Sequence, residues 1–332
     1  MGGRGQGRLW LAVPWLDGAL AAAVEVGAPP RLAAGEYLVC RGDVARLERP
    51  WREWLLEAIG VGGVCLERLP TGPCVRSLAA APPPGATFAC ARPVHLLTAI
   101  DRLQLGSSGI DPDPAEAAAI LADLNRHLDG RGYSLQSVGV GRDWLLACRE
   151  SLDCTSVDPA EAQGHNLRET MPRGRDGAKV RALMNEIQML LHEHPVNEAR
   201  ASRREPTINS LWLWGFGSSC QTTSATWPQL FTDDSWLAGI WRAHGQPTRP
   251  LSGFPDAAGT GADGAVFAWC SAPADALHEV ESRCFEPARR LLSASACSEV
   301  AICSGRHVIA MGRWARWRAW RRNYPMHEVI SR

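Results

Sequence analysis

Ile208-Asn209-Ser210-Leu211-Trp212-Leu213-Trp214-Gly215-Phe216-Gly217 is a continuous apolar run closed by Gly-Phe-Gly. A run without polar alternation suits a strand covered on both faces, the condition of a parallel sheet flanked by helices. Downstream, Ala265 to Trp269 and Val300 to Cys303 read as further strands, with Ala276 to Leu292 as a helix between them that Pro287 interrupts. Strand, helix, strand implies a crossover in a parallel sheet, hence an α/β fold.

Upstream of that run, Val180, Leu183, Met184, Ile187, Leu190 and Leu191 recur at helical spacing, with Asn185, Gln188 and His192 on the other side. This helix should end by His194, because Pro195 disfavours helical geometry in the residue before it. Earlier still, Asp113-Pro114-Ala115-Glu116 opens a helix with a cap, a proline in the first turn and an acid at the third position. Its apolar face is Ala117, Ile120, Leu121, Leu124 and Leu128, and Gly130 stops it. Tyr133 to Val140 and Trp144 to Cys148 read as strands, giving a small α+β lobe. Leu9 to Leu16 reads as a buried strand, Ala19 to Val26 as a helix, and Trp51 to Ile59 as a helix with Trp51, Trp54, Leu55 and Ala58 facing the core. The proline-rich Ala79 to Gly85 is the clearest linker. The expected organisation is an α/β core from residues 1–80 plus 175–332, with an α+β lobe at 82–170 inserted in it.

The chain has 332 residues with 35 basic and 35 acidic side chains, so no global field steers it to nucleic acid or an anionic membrane. Leu9 to Val26 is apolar but broken by Pro14, Asp17 and Glu25, which argues against a membrane span or leader. Eleven cysteines without a CxxC pair fit reduced, buried thiols and a cytoplasmic location.

In an open α/β sheet, ligands bind beyond the carboxyl ends of the strands, and glycines there admit close approach. Gly215 and Gly217 close the Ile208 run, and His194, Asn197, Arg200 and Asn209 flank it. An arginine with two amides suits a carboxylate or phosphate, since guanidinium binds oxyanions bidentately. The alternative is that the asparagines satisfy turn backbone while Trp212 and Trp214 fill core. His192 and His194, two apart, cannot share a helical face as a metal pair.

Asn185-Glu186-Ile187-Gln188-Met189-Leu190-Leu191-His192, then His194-Pro195-Val196-Asn197 and Arg200, then Asn209-Ser210-Leu211-Trp212-Leu213-Trp214-Gly215, resembles the RpfE-type regulatory proteins. More distantly, His194-Pro195-Val196-Asn197-x-x-Arg200 and Asn209-x-x-Trp212-x-Trp214-Gly215-x-Gly217 resemble the archaeal-type cofactor-independent phosphoglycerate mutases of the alkaline phosphatase superfamily. That resemblance implies a reduced alkaline-phosphatase-like parallel or mixed sheet core. It also implies a two-metal phosphomutase site with a hydroxyl nucleophile and an adjacent Asp-His pair among the ligands. No Asp-His dipeptide occurs in the sequence. Asp17-Gly18 reads as a turn or as a remnant of the first metal aspartate.

The expectation is therefore a regulatory pseudoenzyme without a metal centre or cofactor, binding a small anionic metabolite through Arg200, Asn197 and Asn209. Gly215 and Gly217 would admit the ligand, and Trp212 and Trp214 would position the strand; Arg200→Ala would then weaken anion binding without unfolding the protein. One alternative is a mutase or phosphatase requiring manganese or zinc. Another is a protein-interaction module acting through Arg313-Trp314-Ala315-Arg316-Trp317-Arg318-Ala319-Trp320-Arg321-Arg322. Tryptophans at spacing three pack a helical stripe onto a domain, which is the reading preferred over base stacking or a membrane surface. Gly259-Thr260-Gly261-Ala262-Asp263-Gly264 precedes a strand instead of following one, so it reads as a loop and not a dinucleotide site.

Overall fold

The computed structural model describes residues 7–27, 29–61, 86–98, 103–105, 109–138, 142–162, 170–217, 227–254, 264–270, 276–318 and 320–330. The expected linker at 79–85 and most of the 259–264 loop lie outside them. The chain is mixed α/β and divides into two compact units, residues 1–63 with 223–332, and residues 64–222.

The first unit is built on seven strands. They are β1 (Arg8–Ala12), β2 (Asp43–Arg46), β9 (Gln229–Thr232), β10 (Thr248–Arg249), β11 (Ala265–Ala268), β12 (Glu299–Cys303) and β13 (His307–Gly312), and they lie in the order β10-β9-β11-β1-β12-β13-β2. From β10 to β12 every pairing is parallel, whereas β13 runs antiparallel to β12 and to β2. At the centre, Leu9, Leu11 and Ala12 of β1 are fully buried between Ala265–Ala268 and Val300–Cys303. The core joins these strands to Leu16 and Leu20 of the helix Leu16–Glu25, Leu38 of Ala33–Arg41, and Val280, Phe285 and Leu292. The expected helix from Ala276 to Leu292 is present, and a π-helical turn at Glu281–Phe285 sits where Pro287 cannot donate to the ladder.

In the second unit, β3 (Thr87–Val94), β6 (Tyr133–Ser137), β7 (Trp144–Cys148) and β8 (Ser210–Gly217) form an antiparallel sheet in the order β6-β7-β3-β8. A two-stranded ladder, β4 (Leu96–Thr98) with β5 (Leu103–Leu105), extends from it. Here the sequence reading needs correction. The Ile208 run does form a strand with its first seven residues buried, but its partner is β3 and the pairing is antiparallel. Unbroken apolar character shows only that both faces are covered. The helix Gly177–His192 packs against β8, and on the helix side of the unit Pro114–Leu128 packs against β6 and against that helix. Residues 175–222, expected with the parallel core, fall in this second unit.

Among the described residues eight cysteines are free, and Cys40, Cys148, Cys154, Cys284, Cys297 and Cys303 are buried. Burial pushes the Cys148, Cys154 and Cys303 thiols from 9.0 up to about 12. Because the folded values lie above the unfolded one, this contribution to stability is complete below about pH 9 and is lost as pH rises toward 12. At pH 9 the native thiolate fraction at Cys148 should be roughly five-hundredfold below that of the unfolded chain. Iodoacetamide should then label Cys148, Cys154 and Cys303 only after denaturation, as peptide mass spectrometry would show.

The Arg/Trp-rich stretch does dock, but not through its tryptophans. Arg318 pairs with both Asp43 carboxylate oxygens, at 2.7 and 3.2 Å, and Arg321 donates to the Gly42 carbonyl at 2.7 Å. Trp314, Trp317 and Trp320 remain 69%, 64% and 77% exposed, contrary to the packed stripe expected. Only a five-residue 3-10 helix, Arg313–Trp317, forms there, too short to lay an α-helical stripe on the sheet. Among the described residues no helix is long and apolar enough to cross a membrane.

Candidate functional site

The long motif folds into a helix, a sharp corner, a second helix and β8. The segment after the Pro195 corner is the helix Pro195–Ser202, with His194 as its N-cap. His194 Nδ1 accepts from the Val196 amide at 3.2 Å, and its buried Nε2 lies 3.3 Å from Asp123 Oδ2 without forming a hydrogen bond. Asn197 is buried, and its amide donates to the Leu191 and Ile208 carbonyls at 2.7 and 2.8 Å. Its Oδ1 accepts from the Ile208 amide at 2.8 Å. Asn209 clasps the backbone of Leu96, accepting at 2.7 Å and donating at 2.9 Å.

Arg200 is buried beside Glu116, the capping-box acid of Pro114–Leu128, with Nη1 2.5 Å from Oε2, and its Nε donates to the Pro206 carbonyl at 2.8 Å. Arg203 reaches the other Glu116 oxygen at 2.6 Å. Trp212 donates to the Val157 carbonyl at 2.8 Å and Trp214 is buried. Gly215 adopts φ +64° at a register shift between β8 and β3, where a β-bulge calls for the left-handed region. Gly217 ends the strand, half-buried. The structure thus brings Asn197, Arg200, Asn209, Trp212 and His194 into one region, and there each of these polar side chains contacts protein.

A second constellation lies in the first unit, at the carboxyl edge of the parallel strands, where an open sheet receives ligands. Asp17, in the first turn after β1, accepts through Oδ2 from the Arg306 amide at 2.7 Å and sits 3.2 Å from His307 Nδ1. Its side chain is 10% exposed, and Oδ1 is buried without a hydrogen-bond partner. Beyond β9, Asp233 Oδ1 accepts from the Cys270 amide at 2.8 Å. Asp234 caps the helix Ser235–Ala243 through the Leu237 amide and pairs with buried Arg52 at 2.7 Å. Sequence spacing could not reveal the Asp17–His307 pair, whose members are 290 positions apart; the only trace was Asp17 just beyond an apolar strand.

The turn that holds this pair depends on Gly305. It has φ +118°, and a Cβ there would stand 2.3 Å from the Pro14 carbonyl oxygen. Gly305→Ala should cost about 2 kcal/mol or more from backbone strain alone. A lowered urea midpoint checks the prediction, and an unchanged one refutes it.

A two-metal phosphomutase site needs several converging carboxylates and imidazoles. Among the described residues no group of three or more His, Cys, Asp or Glu side chains could hold a metal ion. Asp17 and His307 supply two donors, while Asp233 and Asp234 are engaged with Cys270 and Arg52. These residues do not fit a two-metal centre.

Part of the chain is similar in sequence to known mutases. It is 32% identical over 87 residues to a probable 2,3-bisphosphoglycerate-independent phosphoglycerate mutase of Geobacter sulfurreducens, covering 26% of this chain and 22% of that protein. It is 33% identical over 106 residues to the 2,3-bisphosphoglycerate-independent phosphoglycerate mutase of Methanothrix thermoacetophila, covering 31% and 25%. The matches thus span about a quarter of these relatives' length. No family profile matches the chain. Among solved structures, the cofactor-independent phosphoglycerate mutase of Thermoplasma acidophilum aligns over 92% of this chain and 89% of its own, at 15% identity and TM-score 0.40. Over the matched segment the chain is distantly homologous to the 2,3-bisphosphoglycerate-independent phosphoglycerate mutases.

Proposed function

We infer that this is a phosphoglycerate-mutase-like protein of the RpfE regulatory type, which binds a small phosphorylated or carboxylated metabolite without turning it over. The observation that carries this reading is the state of Asp17. This aspartate stands in the first turn of the helix that follows the first strand, where the mutase resemblance implies a metal ligand, yet it faces one imidazole and one backbone amide. Oδ1 is buried without a partner, so a ligand hydroxyl must enter the turn to reach it, and Arg306, exposed beside it, offers a cation for the ligand's anionic group. We assign the Asn197, Arg200 and Asn209 cluster, expected from sequence to hold the anion, to bracing the second unit, because its hydrogen bonds close on protein.

The competing reading, a metal-dependent mutase or phosphatase, is favoured by the names of the sequence relatives. Metal analysis of the purified protein, a thermal-shift titration with 3-phosphoglycerate, and a mutase and phosphatase assay with added manganese separate the two. The expected result is saturable stabilisation that survives EDTA and is lost in Asp17→Asn, with no turnover. Stoichiometric manganese or zinc with turnover that Asp17→Asn abolishes would establish the enzyme instead.

A further inference from the structure

The exposed tryptophans have no part in that reading. Three indole rings, Trp314, Trp317 and Trp320, stand 64–77% exposed within seven residues, and Val44 and Tyr324 nearby are 38% and 39% exposed. Isolated exposed apolar residues need no explanation, but a contiguous cluster marks a surface that meets something apolar. In the 3-10 helix Arg313–Trp317, residues three apart eclipse, so Trp314 and Trp317 emerge on the same side while Ala315 is buried. The segment is also fixed from behind. Arg318 and Arg321 bind Asp43 and the Gly42 carbonyl, Arg41 bonds Asn323 at 2.7 Å, and the Tyr324 amide donates to Cys40 Sγ at 3.1 Å. The arginines anchor the backbone and leave the indoles outward.

Charge selects the partner. Between Glu299 and Glu328 the chain carries six arginines and no acidic residue, in a protein whose overall charge is zero; Arg318 and Arg321 share the Asp43 carboxylate, and the segment stays net positive. Indole bodies beside guanidinium groups match the zone where a bilayer changes from acyl chain to phosphate, and basic groups there favour anionic lipid. Single-stranded nucleic acid would use the ring faces for stacking. The Arg313 guanidinium lies over the Trp314 ring, 5.0 Å from its centroid, which takes one face from any base and does not hinder insertion among headgroups.

We propose that the Trp314–Trp317–Trp320 surface docks the protein reversibly on an anionic membrane surface. The test is flotation of the full chain with vesicles of phosphatidylcholine and phosphatidylserine at about 2:1, against phosphatidylcholine alone, at low and high salt. A labelled oligothymidylate serves as the nucleic-acid arm. The expected result is partition onto the anionic vesicles, reduced by salt, and at least about tenfold weaker in W314A/W317A/W320A with an unchanged circular dichroism spectrum. Should that variant misfold, W320A alone should still lower partition about twofold or more. No partition, partition that the tryptophan variants leave intact, or binding to oligothymidylate without binding to vesicles would each overturn the proposal.

Discussion

Replacing Arg52 by alanine should destabilise the protein by about 3–5 kcal/mol, the usual cost of stranding one member of a buried ion pair. Arg52 and Asp234 are 5% and 2% exposed at the side chain and 2.7 Å apart. The Arg52 guanidinium also lies 4.4 Å from the Trp51 ring centroid and 5.3 Å from that of Trp236. Removing it leaves the buried Asp234 carboxylate without the Arg52 charge. The penalty belongs to the stranded charge, so the double variant Arg52→Met/Asp234→Asn, which keeps a cap at 234, should recover most of it. Urea unfolding of the three chains measures this. Equal losses in the single and double variants would mean that the pair itself stabilises the fold.

Arg200→Ala is expected to cost about 3 kcal/mol, at the low end of the same range, because Arg203 still faces the other Glu116 oxygen. This reverses the expectation drawn from sequence, where the loss would fall on anion binding. Here Arg200 ties the corner after the helix Pro195–Ser202 to the capping box of Pro114–Leu128. A urea midpoint that falls while 3-phosphoglycerate affinity holds supports the bracing role. An unchanged midpoint with lost affinity returns Arg200 to the ligand site.

Local signals were legible where the physics is local. The capping box at Asp113 and Glu116 forms as expected, with Pro114 in the first turn. Val180 to Leu191 lies on one helix, which ends at His192, just before the Pro195 corner. Direction in a sheet is not local. Nothing in Leu211 to Phe216 says whether the neighbouring strand runs with or against it, and that choice moved the motif from one unit to the other. Short strands such as β9 and β10, of four and two residues, carry too little periodicity to be read. Within the candidate site, glycine and asparagine are ambiguous by nature. The residue types that admit a ligand also build bulges and corners, and only the hydrogen-bond partners of Asn197, Asn209 and Gly215 tell the uses apart. Asp17 was visible as a possibility, but His307 was not.

The centre of the parallel sheet has a consequence for how the protein is made. Leu9 of β1 rests between Ala265 and Val300, partners more than 250 positions downstream. At ribosomal rates of about 5–20 residues per second, β1 emerges at least ten seconds before either neighbour exists. During that interval Leu-Trp-Leu-Ala-Val is a bare apolar strand with two open edges. All the strands of the antiparallel sheet lie between residues 87 and 217, so its hydrogen bonding can be completed while the first strand is still waiting. Birth of this protein therefore includes a window in which its most aggregation-prone segment needs shelter, and synthesis speed or a holding chaperone should govern its yield more than final stability does.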